Sequence, residues 1–152
     1  MDTVQLLRQV SIFAELPQET IGDLARRVWQ KTAEAGSVIV SHEEAGDALF
    51  VIASGKVKVV LYGETGREII LSMLRAGDFF GEMTLIEMQN RSATVVAESP
   101  TMLYELTAQK LYTCYKADIH AYVMVMQNIN RELCRRLRRA DGRIAELIRA
   151  SE

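Results

Sequence analysis

The spacing of apolar residues along this chain changes from helical to strand-like and back again. Apolar positions at helical spacing predict a short amphipathic helix over residues 3–13. Pro17 is a favoured residue at a helix start, and a second helix is predicted from there to about Trp29. We therefore expect residues 1–35 to form a helical N-terminal segment.

Six short segments rich in β-branched residues follow, and they predict strands. These segments are residues 38–40, 48–53, 57–61, 68–74, 94–97 and 102–106. Glycines or charged turns bound most of them, and residues 62–67 are typical of a hairpin tip. Many short strands with regular turn residues indicate an antiparallel β-roll of the jelly-roll type over residues 36–106.

The helical period returns after residue 107, where a short helix over 108–116 precedes a long one from Ile119 to Ala150. The long helix carries four heptads, with Val123, Asn130, Leu137 and Ile144 at a and Met126, Leu133, Ala140 and Leu147 at d. A single Asn at an a position is typical of a two-stranded coiled coil. This stripe predicts a parallel homodimer, and the alternative is that it packs on the β-roll.

Together the elements predict one α+β domain over residues 1–152, with C-terminal helices over 107–152. The composition, 49% hydrophobic and 25% charged, is ordinary for a globular protein. No apolar run is long enough for a membrane span, and Cys114 and Cys134 lack metal-ligand spacing. We expect a cytoplasmic protein that binds no metal and, since no nucleophile–base pattern is present, is not an enzyme.

Charge is distributed unevenly along the chain. The formal net charge is -2, yet residues 131–149 hold seven arginines and three acidic residues, a net of +4. This cluster is interpreted either as the solvated face of a helix or as a docking surface for an acidic protein effector or a nucleic acid. Direct DNA binding by this chain alone is not expected, because no helix-turn-helix follows the long helix.

Candidate chemistry is concentrated in residues 77–95. Gly81 allows close backbone approach, and a helical turn beginning at Glu82 would offer free N–H groups to an anion. Arg91 supplies a charge-assisted contact to a phosphate, and the Ser92 hydroxyl is a second donor. Glu82 would repel a phosphate, so its expected partner is a ribose 2′-hydroxyl. These groups suit a 3′,5′-cyclic monophosphate, which has one negative charge and a free 2′-hydroxyl.

Residues 77–95 resemble the phosphate-binding cassette of the cyclic-nucleotide-binding domain, as in the catabolite-activator family of bacterial regulators and the regulatory subunits of protein kinase A. Residues 10–17 and 46–57 are also similar to family segments, so the resemblance covers nearly the whole chain. It implies nucleotide contacts at Gly81, Glu82, Arg91 and Ser92, with mainly backbone groups from Met83, Thr84 and Ala93. It also implies that the base pocket is lined by Val59, Leu61, Ile70 and Leu71.

The resemblance implies cAMP as the ligand, because bacterial members mostly bind it, and cGMP stays open. Asp141 aligns with a base-contacting position of the catabolite-activator branch, and its carboxylate suits the N1–H and N2–H groups of guanine. The alternative interpretation pairs Asp141 with Arg136 of a partner helix. The loop over residues 87–90 lacks the Gly and Pro that the family often has there.

The resulting prediction is a regulatory sensor that signals bound nucleotide through its C-terminal helix. One alternative is the sensor half of a catabolite-activator-like transcription factor without its DNA-binding domain. Another is a dimerisation module that binds no ligand. A third is a receptor for cyclic di-GMP, in which Arg138 or Arg139 would bind the second phosphate.

Overall fold

The computed structural model describes residues 2–87, 90–116 and 118–152, and the side chains of Thr84 and Leu85 are outside this description. Its helices are α1 (Thr3–Gln9), α2 (Gln18–Arg27), α3 (Glu82–Glu87), α4 (Ala108–Lys116) and α5 (Ile119–Ala150), and a 3-10 turn covers Ser11–Phe13. Its strands are β1 (Trp29–Ala33), β2 (Val38–Val40), β3 (Ala48–Ser54), β4 (Lys56–Tyr62), β5 (Glu68–Arg75), β6 (Phe79–Phe80), β7 (Thr94–Ala97) and β8 (Thr101–Thr107).

The strands form two four-stranded sheets in the orders β1-β8-β3-β6 and β2-β7-β4-β5, and every pairing is antiparallel. Apolar side chains from both sheets meet in one buried cluster, in which the rings of Phe50 and Phe80 stack with centroids 5.1 Å apart. This architecture confirms the predicted α+β class with antiparallel sheets. The two-residue strand β6 was not predicted, because two residues show no alternation.

The structure corrects the prediction that residues 1–35 are helical. α2 ends at Arg27, because the backbone of Val28 is extended (φ -78°, ψ 146°). The residues that follow form β1, and its pairing with β8 satisfies backbone groups that a longer helix would have bonded internally. Val10 is also extended and ends α1, so the helix predicted over residues 3–13 is divided.

The first half of α5 is anchored in a core formed with the N-terminal helices. Val125 and Ile129 are each 1% exposed in this core. Asn128 is buried beside them, and its side-chain amide donates to the carbonyls of Ile12 at 3.2 Å and Ala14 at 2.9 Å. The long helix predicted from sequence is therefore confirmed, and its N-terminal half is tied to the start of the chain.

The second half of α5 leaves this core and presents apolar side chains to solvent. Leu137, Ile144 and Leu147 are 62%, 55% and 72% exposed. Across the described residues, no helix is long and apolar enough to cross a membrane. Leu137, Ile144 and Leu147 form an exposed apolar stripe on the second half of α5.

Candidate ligand-binding site

A cavity of about 740 Å³ lies between the second sheet, the start of α3 and the second half of α5. This volume is typical of small-molecule sites. Six of the eight predicted site residues line it, namely Gly81, Glu82, Met83, Arg91, Ser92 and Ala93. These residues form two groups in the sequence, 81–83 and 91–93, and the fold brings both groups to one wall of the cavity.

Arg91 is a buried cation at this wall. Its side chain is 6% exposed, and its Nη1 donates to the carbonyl of Ala48 at 3.0 Å. Its Nε is buried without a hydrogen-bond partner, and no ion pair of the described residues includes it. Burial lowers the pKa of the guanidinium, and the carboxylates of Glu44 and Asp47 oppose that shift from a distance. Buried charges in proteins are ordinarily paired, so this guanidinium is suited to an anionic ligand.

The loop before β3 holds Arg91 in place through its backbone. The N–H of Glu43 donates to the Arg91 carbonyl at 2.8 Å, and the N–H of Arg91 donates to the Glu44 carbonyl at 2.9 Å. A Cβ atom at Gly46 would lie 2.3 Å from Arg91 Nε and 2.5 Å from its Cζ. Only a glycine at this position therefore leaves space for the guanidinium.

Gly81 also bounds the space that the Arg91 guanidinium occupies. It has φ +94°, and a Cβ there would lie 2.6 Å from the Ala48 carbonyl and 2.9 Å from Arg91 Nη1. Both the backbone conformation and the close approach require glycine. The sequence predicts the close backbone approach at Gly81, whereas it marks Gly46 only as part of a segment similar to the family.

Glu82 is buried at the cavity wall, 3% exposed, and it has a partner from α5. Arg136 donates from Nη1 to Glu82 Oε1 at 2.7 Å and from Nη2 to the Phe79 carbonyl at 2.9 Å. The guanidinium of Arg136 also lies over the Phe79 ring, 4.6 Å from its centroid. Arg136 thus connects the cassette to the long helix.

This contact gives Arg136 a partner within its own chain, and the interpretation that pairs Arg136 with Asp141 of a partner helix stays a prediction. The guanidinium of Arg136 bonds Glu82, Phe79 and Glu132 of its own chain, which uses three of its five N–H donors. The contact to Glu82 joins positions 54 residues apart, so no local pattern signalled it. Asp141 is exposed and is not among the lining residues, although its neighbour Ala140 is.

The rim beside Arg91 is formed by smaller contacts. Ser92 is exposed, and its hydroxyl lies 3.7 Å from the sulfur of Met83, which is 45% exposed. Ala93 is 8% exposed at the same wall. The side chain of Thr84 is outside the described residues, and its predicted contact, mainly through the backbone, stays a prediction. Met88 and Gln89, in the loop that departs from the family pattern, also lie outside them.

The far end of the cavity is bounded by β5 and the second half of α5. Of the four nominated base-lining residues, Val59 and Leu71 line the cavity, and Leu61 and Ile70 do not. Arg143 of α5 donates to the Leu71 carbonyl and, at 3.4 Å, to the Ile70 carbonyl. These bonds hold α5 across the cavity as a cover.

The arrangement has the chemistry of a nucleotide site. An unpaired buried cation and a hydroxyl at one end suit a phosphate, and a buried carboxylate next to them accepts from a hydroxyl. Apolar walls from both sheets and α5 suit a planar base. Within the described ranges, no group of three His, Cys, Asp or Glu residues is placed to hold a metal ion.

Comparisons with known proteins support the same chemistry. The model of the family described as "Cyclic nucleotide-binding domain" matches residues 30–118. The chain is 36% identical over 131 residues to "Cyclic AMP receptor protein" of Thermus thermophilus, covering 86% of this chain and 58% of that protein. It is 39% identical over 98 residues to "cGMP-dependent protein kinase egl-4" of Caenorhabditis briggsae, covering 64% of this chain and 13% of the kinase.

A solved structure extends the likeness to the fold. The crystal structure of the Thermus thermophilus catabolite activator protein superposes with a TM-score of 0.77 at 30% identity, covering 90% of this chain and 62% of that one. The chain spans less than two thirds of the length of the curated relatives reported above. The family model covers more than half of the chain and includes the Arg91 wall. The chain therefore belongs to the cyclic nucleotide-binding domain family.

Proposed function

We propose that this chain is a regulatory domain that binds a 3′,5′-cyclic mononucleotide and catalyses no reaction itself. The observation that carries the proposal is the buried guanidinium of Arg91, which faces the cavity without an ion-pair partner among the described residues. A cyclic phosphate supplies one negative charge there, which balances one buried cation. Relatives named for cAMP and for cGMP both match the chain, and either nucleotide meets this requirement.

The ribose has a matching partner in Glu82. The carboxylate is buried beside Arg91 in the same cavity wall, and Arg136 bonds its Oε1 atom. A carboxylate accepts several hydrogen bonds, so Oε2 keeps the capacity to accept from a 2′-hydroxyl. A deoxyribose analogue is expected to bind more weakly because it lacks that donor.

The bound state is proposed to be transmitted through α5. Arg136 links the helix to the carboxylate that meets the ribose, and Asn128 links the same helix to the N-terminal segment. A ligand that contacts the cassette and the helix together favours the helix position in which both contacts form. The exposed stripe of α5 is proposed to pair with a second copy in parallel, and a protein effector would read the helix position.

Isothermal titration calorimetry with cAMP and cGMP tests this function. The parent protein should release heat and saturate at one nucleotide per chain, whereas Arg91→Ala should lose binding by about 10- to 100-fold or more. Arg67→Ala is the matched control, because Arg67 is exposed and outside the cavity lining. Equal weak heats for the parent and Arg91→Ala would instead support the dimerisation module that binds no ligand.

A second candidate is the sensor half of a transcription regulator. The observation in its favour is the match over 86% of this chain to the Thermus receptor, of which the chain spans 58%. This candidate shares the ligand site and differs in what reads α5. The reading frame of the gene beyond the codon for Glu152 tests it, because a helix-turn-helix encoded there would supply the DNA-binding part.

A further inference from the structure

The wall of the cavity that α5 forms contains two arginines that the proposed function does not use. Arg139 and Arg143 both line the cavity. Arg139 lies 3.4 Å from the carboxylate of Glu132, which also bonds Arg136. Arg143 takes part in no ion pair of the described part of the chain. Its charge is therefore available to a ligand.

Arg143 is also held in one orientation. Its Nη1 and Nη2 atoms donate to the backbone carbonyls of Leu71 and Ile70 on β5. A guanidinium has five N–H donors in a rigid plane, so these two bonds fix the plane and leave further donors. A donor that is oriented before the ligand arrives loses less entropy on binding.

Arg143 lies on α5 at a distance from Glu82 that a purine attached to the ribose would span. Arg136 lies at the level of Glu82, the proposed ribose contact, and Arg143 follows seven residues later. At 1.5 Å per residue the two levels are about 10 Å apart along the helix. A ribose at Glu82 therefore directs its purine toward the end of the cavity that contains Arg143.

We propose that Arg143 selects the purine and that the preferred ligand is cGMP, whose base carries a 6-oxo group. This inference rests on the proposed function. Guanine presents two acceptors, N7 and O6, on one edge, and an arginine fork bonds both. Adenine presents an acceptor at N7 but a donor at N6, which opposes the N–H groups of the fork. The choice departs from the cAMP expectation, which rested on family resemblance alone.

The inference also differs from guanine recognition by Asp141, which would use the N1–H and N2–H groups. Cyclic IMP separates the two, because hypoxanthine keeps N7 and the 6-oxo group but has no 2-amino group. Recognition by Arg143 predicts equal affinities for cGMP and cyclic IMP. Recognition by a carboxylate predicts that cyclic IMP binds distinctly more weakly than cGMP.

The test is calorimetry of the full chain with cGMP, cAMP and cyclic IMP. The parent should bind cGMP and cyclic IMP at least about tenfold more tightly than cAMP. In Arg143→Met, which keeps an apolar stem, this ratio should fall to about one. In Arg143→Lys it should also fall, because an ammonium is not a planar fork. Arg149→Met is the control and should keep the parent ratio, since Arg149 is exposed on the same helix and outside the lining.

The ratio of cGMP affinity to cAMP affinity distinguishes base selection by Arg143 from a general loosening of α5. A variant that only loosens the helix weakens all three nucleotides by the same factor and leaves the ratio unchanged, which would overturn the inference. A parent that binds cAMP as tightly as cGMP, or more tightly, would also overturn it while leaving the proposed function intact. Absence of binding by every nucleotide would overturn the proposed function and this inference together.

Discussion

Gly46→Ala tests whether the loop before β3 positions the phosphate-binding arginine. The new Cβ would lie 2.3 Å from Arg91 Nε and 2.5 Å from both Cζ and Nη2, far closer than van der Waals contact allows. Gly46 has no positive φ, so the methyl group introduces no backbone strain. The three closest contacts of the new methyl group are all with Arg91, so we expect the substitution to act through the guanidinium.

The expected loss of stability and of nucleotide affinity follows from the contacts that the guanidinium loses when it is displaced. Overpacking of one methyl group in a dense site costs about 1–3 kcal/mol of unfolding free energy. Displacement also weakens the bond from Arg91 Nη1 to the Ala48 carbonyl and moves the charge away from the phosphate. Loss of a hydrogen bond to a charged group costs about 1.5–3 kcal/mol, which corresponds to roughly 10- to 150-fold weaker nucleotide binding.

A double-mutant cycle with Arg91→Ala isolates this effect. Urea unfolding followed by far-UV circular dichroism measures stability in the absence of nucleotide, and calorimetry measures nucleotide affinity. Gly46→Ala should destabilise the parent but be nearly neutral in the Arg91→Ala background, which gives a coupling energy of about 1–3 kcal/mol. An equal cost in both backgrounds would show that Gly46 serves the loop and not the arginine. Gly142→Ala is the control, because no atom lies within 4 Å and alanine should strengthen α5 by about 1 kcal/mol.

Other substitutions and conditions have equally definite outcomes. Arg91→Met should leave the urea-measured stability of the unliganded protein within about 1 kcal/mol of the parent or raise it, since it removes an unpaired buried charge; a loss above about 3 kcal/mol would contradict this. Burial, with a hydrogen bond to Asp23, raises the pKa of the Cys114 thiol from 9.0 to about 12. The folded state therefore retains this proton, and its contribution to stability is present below about pH 9 and is lost as pH rises toward 12. At about pH 8 a chromogenic disulfide reagent should label exposed Cys134 in the native protein and Cys114 only after unfolding, and rapid labelling of both would contradict the burial. Leu147→Glu, at a 72% exposed heptad position outside the cavity, should shift sedimentation toward a monomer without weakening nucleotide binding by the monomer.

The sequence was informative wherever a local pattern determines the structure. The long helix, most strands and the convergence of Gly81, Glu82 and Arg91 all follow from spacing and residue type within short windows. β1 was missed because pairing with β8, about 70 residues away, overrides the helical pattern that precedes it. Of the three arginines that α5 brings to the cavity, Arg136 was assigned elsewhere and Arg143 was not assigned at all. Their contacts to Glu82 and Leu71 join residues 54 and 72 positions apart, and only the folded chain brings them together.

The heptad stripe of α5 and the wall of the cavity share side chains. Leu133, Leu137 and Ala140 belong to the stripe and also line the cavity. A proposed second copy packed on the stripe and a nucleotide bound in the cavity would therefore both constrain the same stretch of helix. By linkage, a nucleotide that strengthens pairing by some factor must itself bind the dimer more tightly than the monomer by the same factor. Sedimentation at graded protein concentrations with and without nucleotide measures the first factor, and calorimetry above and below the dimer dissociation constant measures the second. Factors above one that agree per bound nucleotide would support coupling through this stretch of helix, and no change in either would show that the cavity and the stripe are independent.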